Sequence, residues 1–322
     1  MKVYCVKYSA HAGKWIYDGY RSAWQDKGFD LVDVPAAAVQ LVKETGQSGH
    51  FAEYPKDEES LSEEYIMMTT ADIVCRKPAS WKAVERSHKT FVFVQPRTYP
   101  DPWGQHPNFY CDANEEGVRV LNDMDNVVLW TFAKVVPEFY SQWSKDIHTI
   151  PLAFDSINYK PQEVQKYKQF DISFVGGWAN NGFDEKRKII VDIFSKFKDS
   201  GLKCGFFINK NLTRQQECDL LANSKMTLNI HDAYQRVLGL DTNERTFKSL
   251  GLNGLMVSDA VTHLNEIFPD VKTSLDSEEL VEITKEILAL PQDEKDELRA
   301  KNKKMILDNH CYTNRIQEML KI

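Results

Sequence analysis

The 322-residue chain is 42% hydrophobic and 27% charged, with a formal net charge of -7. That length accommodates two α/β domains of roughly 100–200 residues each, and the acidic balance excludes coating of DNA or RNA by bulk charge, leaving only a local basic groove. The six cysteines show no CxxC spacing, which argues against a metal cluster or a disulfide framework; no apolar run approaches the roughly 18 residues of a membrane span, and MKVYCVKYSAHAGK lacks a secretory pattern, so a cytoplasmic protein with reduced thiols is expected.

The first half alternates strand and helix patterns. "KVYCVKY" (2–8) is rich in β-branched and aromatic residues and reads as a buried strand. "GKWIYDGYRSAWQDKG" (13–28) places Trp15, Ile16, Gly19, Tyr20 and Trp24 at helical spacing and stops at Gly28. "FDLVDV" (29–34) is the next strand, and "AAAVQLVKE" (36–44) is expected to continue as helix. Residues 63–74 fit strand or helix. "TFVFVQP" (90–96) is a strand ended by proline, "NVVLWTF" (126–132) another, and "KVVPEFYSQW" (134–143) is expected to be helical. "IHTIPLAFD" (147–155) closes the half with a strand and a turn.

Residues 156–170 are polar with no apolar stripe and read as a connection. The expected division is a domain over 1–155, a linker over 156–170, a second domain over 171–309 and a terminal helix over 310–322 that packs back on the first domain. The second series opens with "DISFVGG" (171–177), followed by an amphipathic helix that ends at Gly201. Strands follow at 203–210, 225–232 and 255–260, with helices at 213–224 (Thr213 as N-cap) and 244–254, and a helical tail from Ser277. Repeated alternation in both halves predicts two doubly wound α/β domains. Ligands of such folds bind outside the carboxyl ends of the strands.

Gly176 and Gly177 stand where strand turns towards helix. Glycine lets backbone N–H groups approach an anion, and a helix N-terminus carries roughly half a positive charge. A glycine pair also serves any tight strand-to-helix turn. There is no GxGxxG and no GxxxxGK[ST], so dinucleotide and P-loop readings lose ground. Lys186 and Arg187 follow and could pair with a phosphate, or could lie on a solvated helix face.

The stretch 228–254, "LNIHDAYQRVLGLDTNERTFKSLGLNG", is more informative. A strand ends in Asn229, Ile230 and His231, and a helix opens near Asn243 with Glu244 and Arg245 in its first turn. A cation at that end is unfavourable unless an anion meets it. The partner is either Glu244 or Asp241, or a diphosphate held by the guanidinium. Lys248 lies three residues on, on the same face as Arg245. "DMD" (123–125) sits in a polar loop and reads as turn chemistry rather than a metal site. The aromatic, proline-rich stretch 97–112 fits either a lid or a packing loop. His310 and Cys311 lack a second ligand pair for zinc, so no metal is expected.

The pieces "DISFVGG" with Arg187, "SKMTLNIHD", "NERTFKSLGLNGLMVSD", "LNEIFPD", "SLDSEELVEITKEIL" and "NHCYTNRI" resemble, in order and spacing, the C-terminal half of the CgeB-like GT-B glycosyltransferases related to glycosyltransferase family 4. "IPLAFDSINYKP" looks like that family's interdomain segment. The resemblance implies a GT-B fold, two Rossmann-like domains facing a cleft, with a nucleotide-sugar donor, UDP-sugar foremost, held by the C-terminal domain. Gly176, Gly177 and Arg187 would line the phosphate site, Asn229 and His231 would face the cleft, and Arg245 would hold the diphosphate. No cofactor and no metal are implied, and a retaining course is compatible with the resemblance. His11, in the loop after the first strand, would be an acceptor base or a polar contact to the sugar. One departure stands out. The related pattern is R-x-F-E, whose glutamate accepts ribose hydroxyls, and here Lys248 takes that place. Either Glu244 serves the ribose, or Lys248 meets phosphate.

The expected function is therefore transfer of a sugar from a nucleotide diphosphate-sugar to a glycan, a protein or a modified DNA base. A nucleotide-sugar 2-epimerase and a non-catalytic nucleotide-sugar binding protein are the alternatives.

Overall fold

The computed structural model describes every residue except 10, 43–46, 55–63, 77, 97–98, 102–103, 105–113 and 179–184; the side chains of residues 11, 38–42 and 47–50 are not described either. The chain divides into two compact units. One comprises Met1–Pro151 with Arg315–Ile322, the other Leu152–Asn314.

The first unit runs β1 (Lys2–Tyr8), α1 (His11–Asp26), β2 (Asp30–Val42), β3 (Gln47–Ala52), β4 (Tyr65–Thr70), α2 (Ala71–Val74), α3 (Pro78–Arg86), β5 (Lys89–Phe93), α4 (Glu115–Asn122), β6 (Val127–Thr131) and β7 (Ile147–Thr149). Its seven-stranded sheet has the order β3-β2-β1-β4-β5-β6-β7. All pairs are parallel except β2 with β3. Parallel sheets are covered on both faces, so their strands read as continuous apolar runs. Val3–Val6 and Tyr65–Met68 are accordingly buried throughout. Helix α1 buries Ile16, Tyr17, Tyr20, Ala23 and Trp24, one helical face, and Gly28 turns the chain with φ +84.

Two expectations fail here. Residues 36–42, expected as helix, continue β2 and pair antiparallel with β3 from Ala36↔Ala52 onward. The ladder formed by a strand already docked on β1 outweighs the helical preference of three alanines, a preference worth only tenths of a kcal/mol per residue. Residues 134–143 yield only a short 3-10 turn at Pro137–Tyr140. Proline lacks the N–H and clashes with the preceding turn, so no helix runs through it. The described part of the ambiguous stretch 63–74 is both, a strand over Tyr65–Thr70 and then one helical turn.

The second unit runs β8 (Ile172–Gly176), α5 (Lys186–Asp199), β9 (Cys204–Ile208), α6 (Arg214–Asn223), β10 (Thr227–Asn229), α7 (Ala233–Leu238), α8 (Glu244–Leu252), β11 (Met256–Ser258), α9 (Thr262–Ile267), β12 (Lys272–Thr273), α10 (Ser277–Ala289) and α11 (Gln292–Asn309). Its five strands lie parallel in the order β12-β11-β10-β8-β9. Ile172, Phe174, Ile190, Ile193, Phe197, Leu228 and Val257 centre its core. The polar segment 156–170 is tied to this unit. Gln162 N donates to Asp219 (2.7 Å), and Val164 N donates to Asn223 (3.2 Å). Helix α12 (Tyr312–Met319) begins in the second unit and ends in the first. There Arg315 Nε donates to the Pro151 carbonyl (2.8 Å), and Ile316 and Met319 are fully buried. Among the described residues no helix is long and apolar enough to cross a membrane.

Helix α8 stops at Gly254, whose φ is +83. A Cβ there would stand 2.6 Å from the Arg299 carbonyl oxygen on α11. Backbone strain and overpacking therefore coincide. We expect Gly254→Ala to lower the stability of the second unit by about 2–4 kcal/mol, read from its urea midpoint.

Candidate functional site

At the carboxyl edge of the second sheet three strands end in polar or glycine residues. β8 ends at Gly176 and Gly177, β10 leads into Ile230 and His231, and β11 leads into Asp259. Helices α5, α7 and α8 all start at this edge.

The start of α8 is pinned to β10. The Asn243 side chain accepts from Thr246 N (3.2 Å) and donates to the Ile230 carbonyl (3.1 Å). This fixes Arg245 in the first turn. Its Nε donates to the Val175 carbonyl (2.7 Å) on β8. Its Nη1 donates to the Ile230 carbonyl (3.0 Å) and to Asn229 Oδ1 (3.3 Å). The guanidinium also lies over the Phe174 ring, 4.6 Å from its centroid. Gly176 permits this placement, because a Cβ there would stand 2.6 Å from Arg245 Nη2. Burial draws the guanidinium pKa down, and the more distant Glu217, Asp232, Glu244 and Asp259 act against that.

Both expected carboxylate partners of Arg245 are engaged elsewhere. Asp241, pushed up to about 6 by burial, accepts from Gln235 Nε2 (2.7 Å). Glu244 turns towards Lys248 (3.7 Å). Among the described residues every hydrogen-bond partner of Arg245 is a neutral oxygen, and none takes a bond from Nη2.

Lys186 is the second cation of this corner. It is 8% exposed and donates to Asp232 Oδ1 (2.8 Å) and the Ile230 carbonyl (3.1 Å). Burial lowers its pKa against the opposing pull of Asp232. Arg187 points elsewhere, exposed and over the Trp178 ring at 5.1 Å. Successive helical residues face different directions, which is why one of the two reaches the corner.

Asn229 and His231 are both fully buried rather than open to a ligand. His231 Nδ1 meets Asp259 Oδ1 (2.6 Å), its backbone N–H donates to the same carboxylate (3.0 Å), and Nε2 meets Thr242 Oγ1 (2.8 Å). Asn229 Nδ2 donates to Thr246 (2.9 Å) and Ser258 (3.2 Å). This network locks the end of β10 to the start of α8. Burial raises the Asp259 pKa, but the charge and hydrogen bonds of His231, with Arg236 3.7 Å away, outweigh it and hold the carboxyl below its ordinary value.

Lys248 is not brought to Arg245. It is 5% exposed and donates to Glu217 Oε1 (3.0 Å) on α6, with its Nζ 5.1 Å from the centre of the Tyr159 ring. Tyr159 OH donates to the other oxygen of Glu217 (3.2 Å). Burial alone would lower the Lys248 pKa, yet Glu217 and Glu244 carry it well above the ordinary value. Burial raises the Glu244 carboxyl pKa, and among the described residues no group donates a hydrogen bond to it. His11 opens α1 in the first unit, and its side chain lies outside the described residues. Also among the described residues, no three His, Cys, Asp or Glu side chains converge as metal ligands would.

Residues 165–321 match the sequence model of a family described as glycosyl transferase-like. This stretch is thus similar to glycosyltransferase sequences. A comparison with curated protein sequences returns no match. Solved structures share the fold at low identity. An α,α-trehalose 6-phosphate synthase from Burkholderia multivorans is 7% identical, covering 99% of this chain and 95% of that one, with a TM-score of 0.56. An α-glucosyltransferase solved with UDP and a mismatched 13-mer DNA is 12% identical, covering 99% and 98%, at 0.53. The S. aureus TarM mutant solved with fondaparinux, α-GlcNAc-glycerol and UDP is 11% identical over 87% of this chain, which spans 63% of the TarM chain, at 0.50. The stretch thus sits in a chain of GT-B fold, with two Rossmann-like units.

Replacing Lys248 with methionine would leave two acidic side chains buried without their cation. We expect a loss of about 3–5 kcal/mol in urea unfolding, partly recovered by adding Glu217→Gln. Asp259 gives a pH signature. A depressed folded-state pKa contributes stability above the unfolded value, and that contribution is lost as pH falls. The stability gap between the wild type and Asp259→Asn should be full at neutral pH and shrink below about pH 4.

Proposed function

We propose that the chain transfers a sugar from a nucleotide diphosphate-sugar, UDP-sugar foremost, to an acceptor, and that Arg245 holds the diphosphate. The observation that carries this is the cation itself. It is fixed at the carboxyl edge by two backbone carbonyls and an amide oxygen, at a helix N-terminus, with no carboxylate among the described residues hydrogen-bonded to it. A diphosphate supplies the missing charge and accepts from the guanidinium. Negative charge grows on the leaving phosphate as the sugar departs, and a cation held in place beforehand stabilises it without rearrangement. UDP occurs in the TarM and α-glucosyltransferase structures of similar fold, which supports the choice of donor.

Gly176 and Gly177 keep the floor of this corner open, and Lys186 adds a second cation shared with Asp232. Asn229 and His231 serve by holding Arg245 and α8 in register. Glu244, whose carboxyl takes no hydrogen bond among the described residues, accepts the two hydroxyls of a ribose. In this reading Lys248 orients Glu244 and does not touch phosphate. The affiliation with the CgeB-like group, the absence of a metal requirement and a retaining course belong to the same reading. The acceptor is a glycan, a protein or a modified base in DNA. The DNA in the α-glucosyltransferase structure motivates the last, and the net charge of -7 weighs against it.

Calorimetric titration with UDP tests this reading. Hydrogen bonds to charged groups are worth about 1.5–3 kcal/mol, so Arg245→Ala should weaken UDP binding at least tenfold, with Arg245→Lys in between. Equal affinity in the alanine variant would remove Arg245 from the donor site. Tight UDP binding without UDP release from any UDP-sugar, offered with glycan, protein and DNA, would leave a binding protein.

A further inference from the structure

Arg245 has three hydrogen-bond acceptors among the described residues. Two are the backbone carbonyls of Val175 and Ile230, whose charge no substitution alters. The third is Asn229 Oδ1, 3.3 Å from Nη1. The charge that the guanidinium keeps in the empty fold is therefore decided at position 229. The carboxylates nearby each face another basic side chain. Asp232 Oδ1 lies 2.8 Å from Lys186, Glu217 Oε1 lies 3.0 Å from Lys248, and Asp259 Oδ1 lies 2.6 Å from His231. Glu244 Oε2 is 3.7 Å from Lys248.

The surroundings of Asn229 do not themselves demand an amide. The side chain is fully buried. A guanidinium only donates, so the amide turns Oδ1 to Arg245 and Nδ2 away from it. Nδ2 meets Thr246 Oγ1 (2.9 Å), Ser258 Oγ (3.2 Å) and His231 Nε2 (3.3 Å). Hydroxyls donate as well as accept, and an imidazole nitrogen can carry a proton. All three groups can thus donate to a carboxylate oxygen standing in place of Nδ2. Aspartate has the shape of asparagine and can take up the same bonds. It would also form an ion pair with Arg245 inside the fold. A buried cation without such a partner lowers the stability of the empty fold. The asparagine accepts that loss and leaves the guanidinium charge for a ligand.

We propose that Asn229 is a positioning residue that makes this corner select anions: its neutral oxygen orients Arg245 without neutralising it, so that a diphosphate completes the charge instead of a protein carboxylate. Identifying the anion as the diphosphate of a nucleotide rests on the function proposed above. Asn229 touches no ligand and acts through Arg245. A purely structural lock would lose stability and binding together on any substitution. Withholding of charge makes the two move in opposite directions.

The wild type, Asn229→Asp and Asn229→Ala are compared as full chains. Thermal midpoints are read without ligand, and UDP and inorganic pyrophosphate are titrated by calorimetry. The midpoint of Asn229→Asp should stand at or above that of the wild type, and that of Asn229→Ala below it. Affinity for the anions should follow a different order. Asn229→Asp should bind roughly tenfold or more below the wild type, and more weakly than Asn229→Ala, which leaves the guanidinium charged. An aspartate midpoint below the wild type overturns the proposal. So does anion binding by Asn229→Asp that matches or exceeds that of Asn229→Ala. Pyrophosphate binding without UDP binding in the wild type sinks the nucleotide donor alone. Equal UDP binding by the wild type and Asn229→Asp sinks this inference alone. If neither anion binds the wild type, both fall.

Discussion

Arg245 enters the carboxyl edge of the second sheet with no carboxylate among the described residues hydrogen-bonded to it, and much of the surrounding structure makes that tolerable. Carbonyl oxygens from β8 and the end of β10 accept its hydrogen bonds, and the face of Phe174 lies beneath it. Gly176 withholds the side chain that would displace it. Behind it, the sealed network of Asn229, His231, Thr242, Thr246 and Asp259 keeps the strand end and the helix start from moving apart. A half-buried cation whose hydrogen bonds, among the described residues, all go to neutral oxygens is costly for the empty fold. The same arrangement is suited to receive an anion, because the field is already oriented.

Lys248 offers the contrast within one helix. It lies three residues from Arg245 and is more deeply buried, yet it is neutralised by Glu217 and Glu244. One cation of α8 is paired with carboxylates inside the fold, and the other, among the described residues, donates only to neutral oxygens. Neither behaviour follows from residue type or from helical spacing. What separates them is which strand end or helix each side chain meets.

This difference also marks how far the sequence can be read. The alternation of strands and helices, the glycine-bearing end of β8 and the placing of Arg245 at a helix start were all legible, since each depends on neighbours close in the chain. The partner of Arg245 was framed correctly as a question, but only the three-dimensional arrangement excludes Asp241 and Glu244. Lys248 drew attention as a departure from R-x-F-E, whereas its companion Glu217 lies 31 residues away and left no local signal. Asn229 and His231 were expected to face a ligand. Their partners Asp259 and Ser258 come from a different strand, and that pairing seals them in. The alanine run at 36–38 misled for a related reason, because its fate was decided by pairing with residues 47–52.

The division of the chain has a consequence for how the molecule comes into being. The second unit is one uninterrupted segment, while the first is assembled from both ends of the chain. Arg315, Ile316 and Met319 belong to the first unit and are buried. On the ribosome, where chains emerge from the N-terminus and fold unit by unit, the usual order is therefore reversed. The unit begun first is finished last, and it must hold its unfilled apolar positions until the final turns of α12 are released.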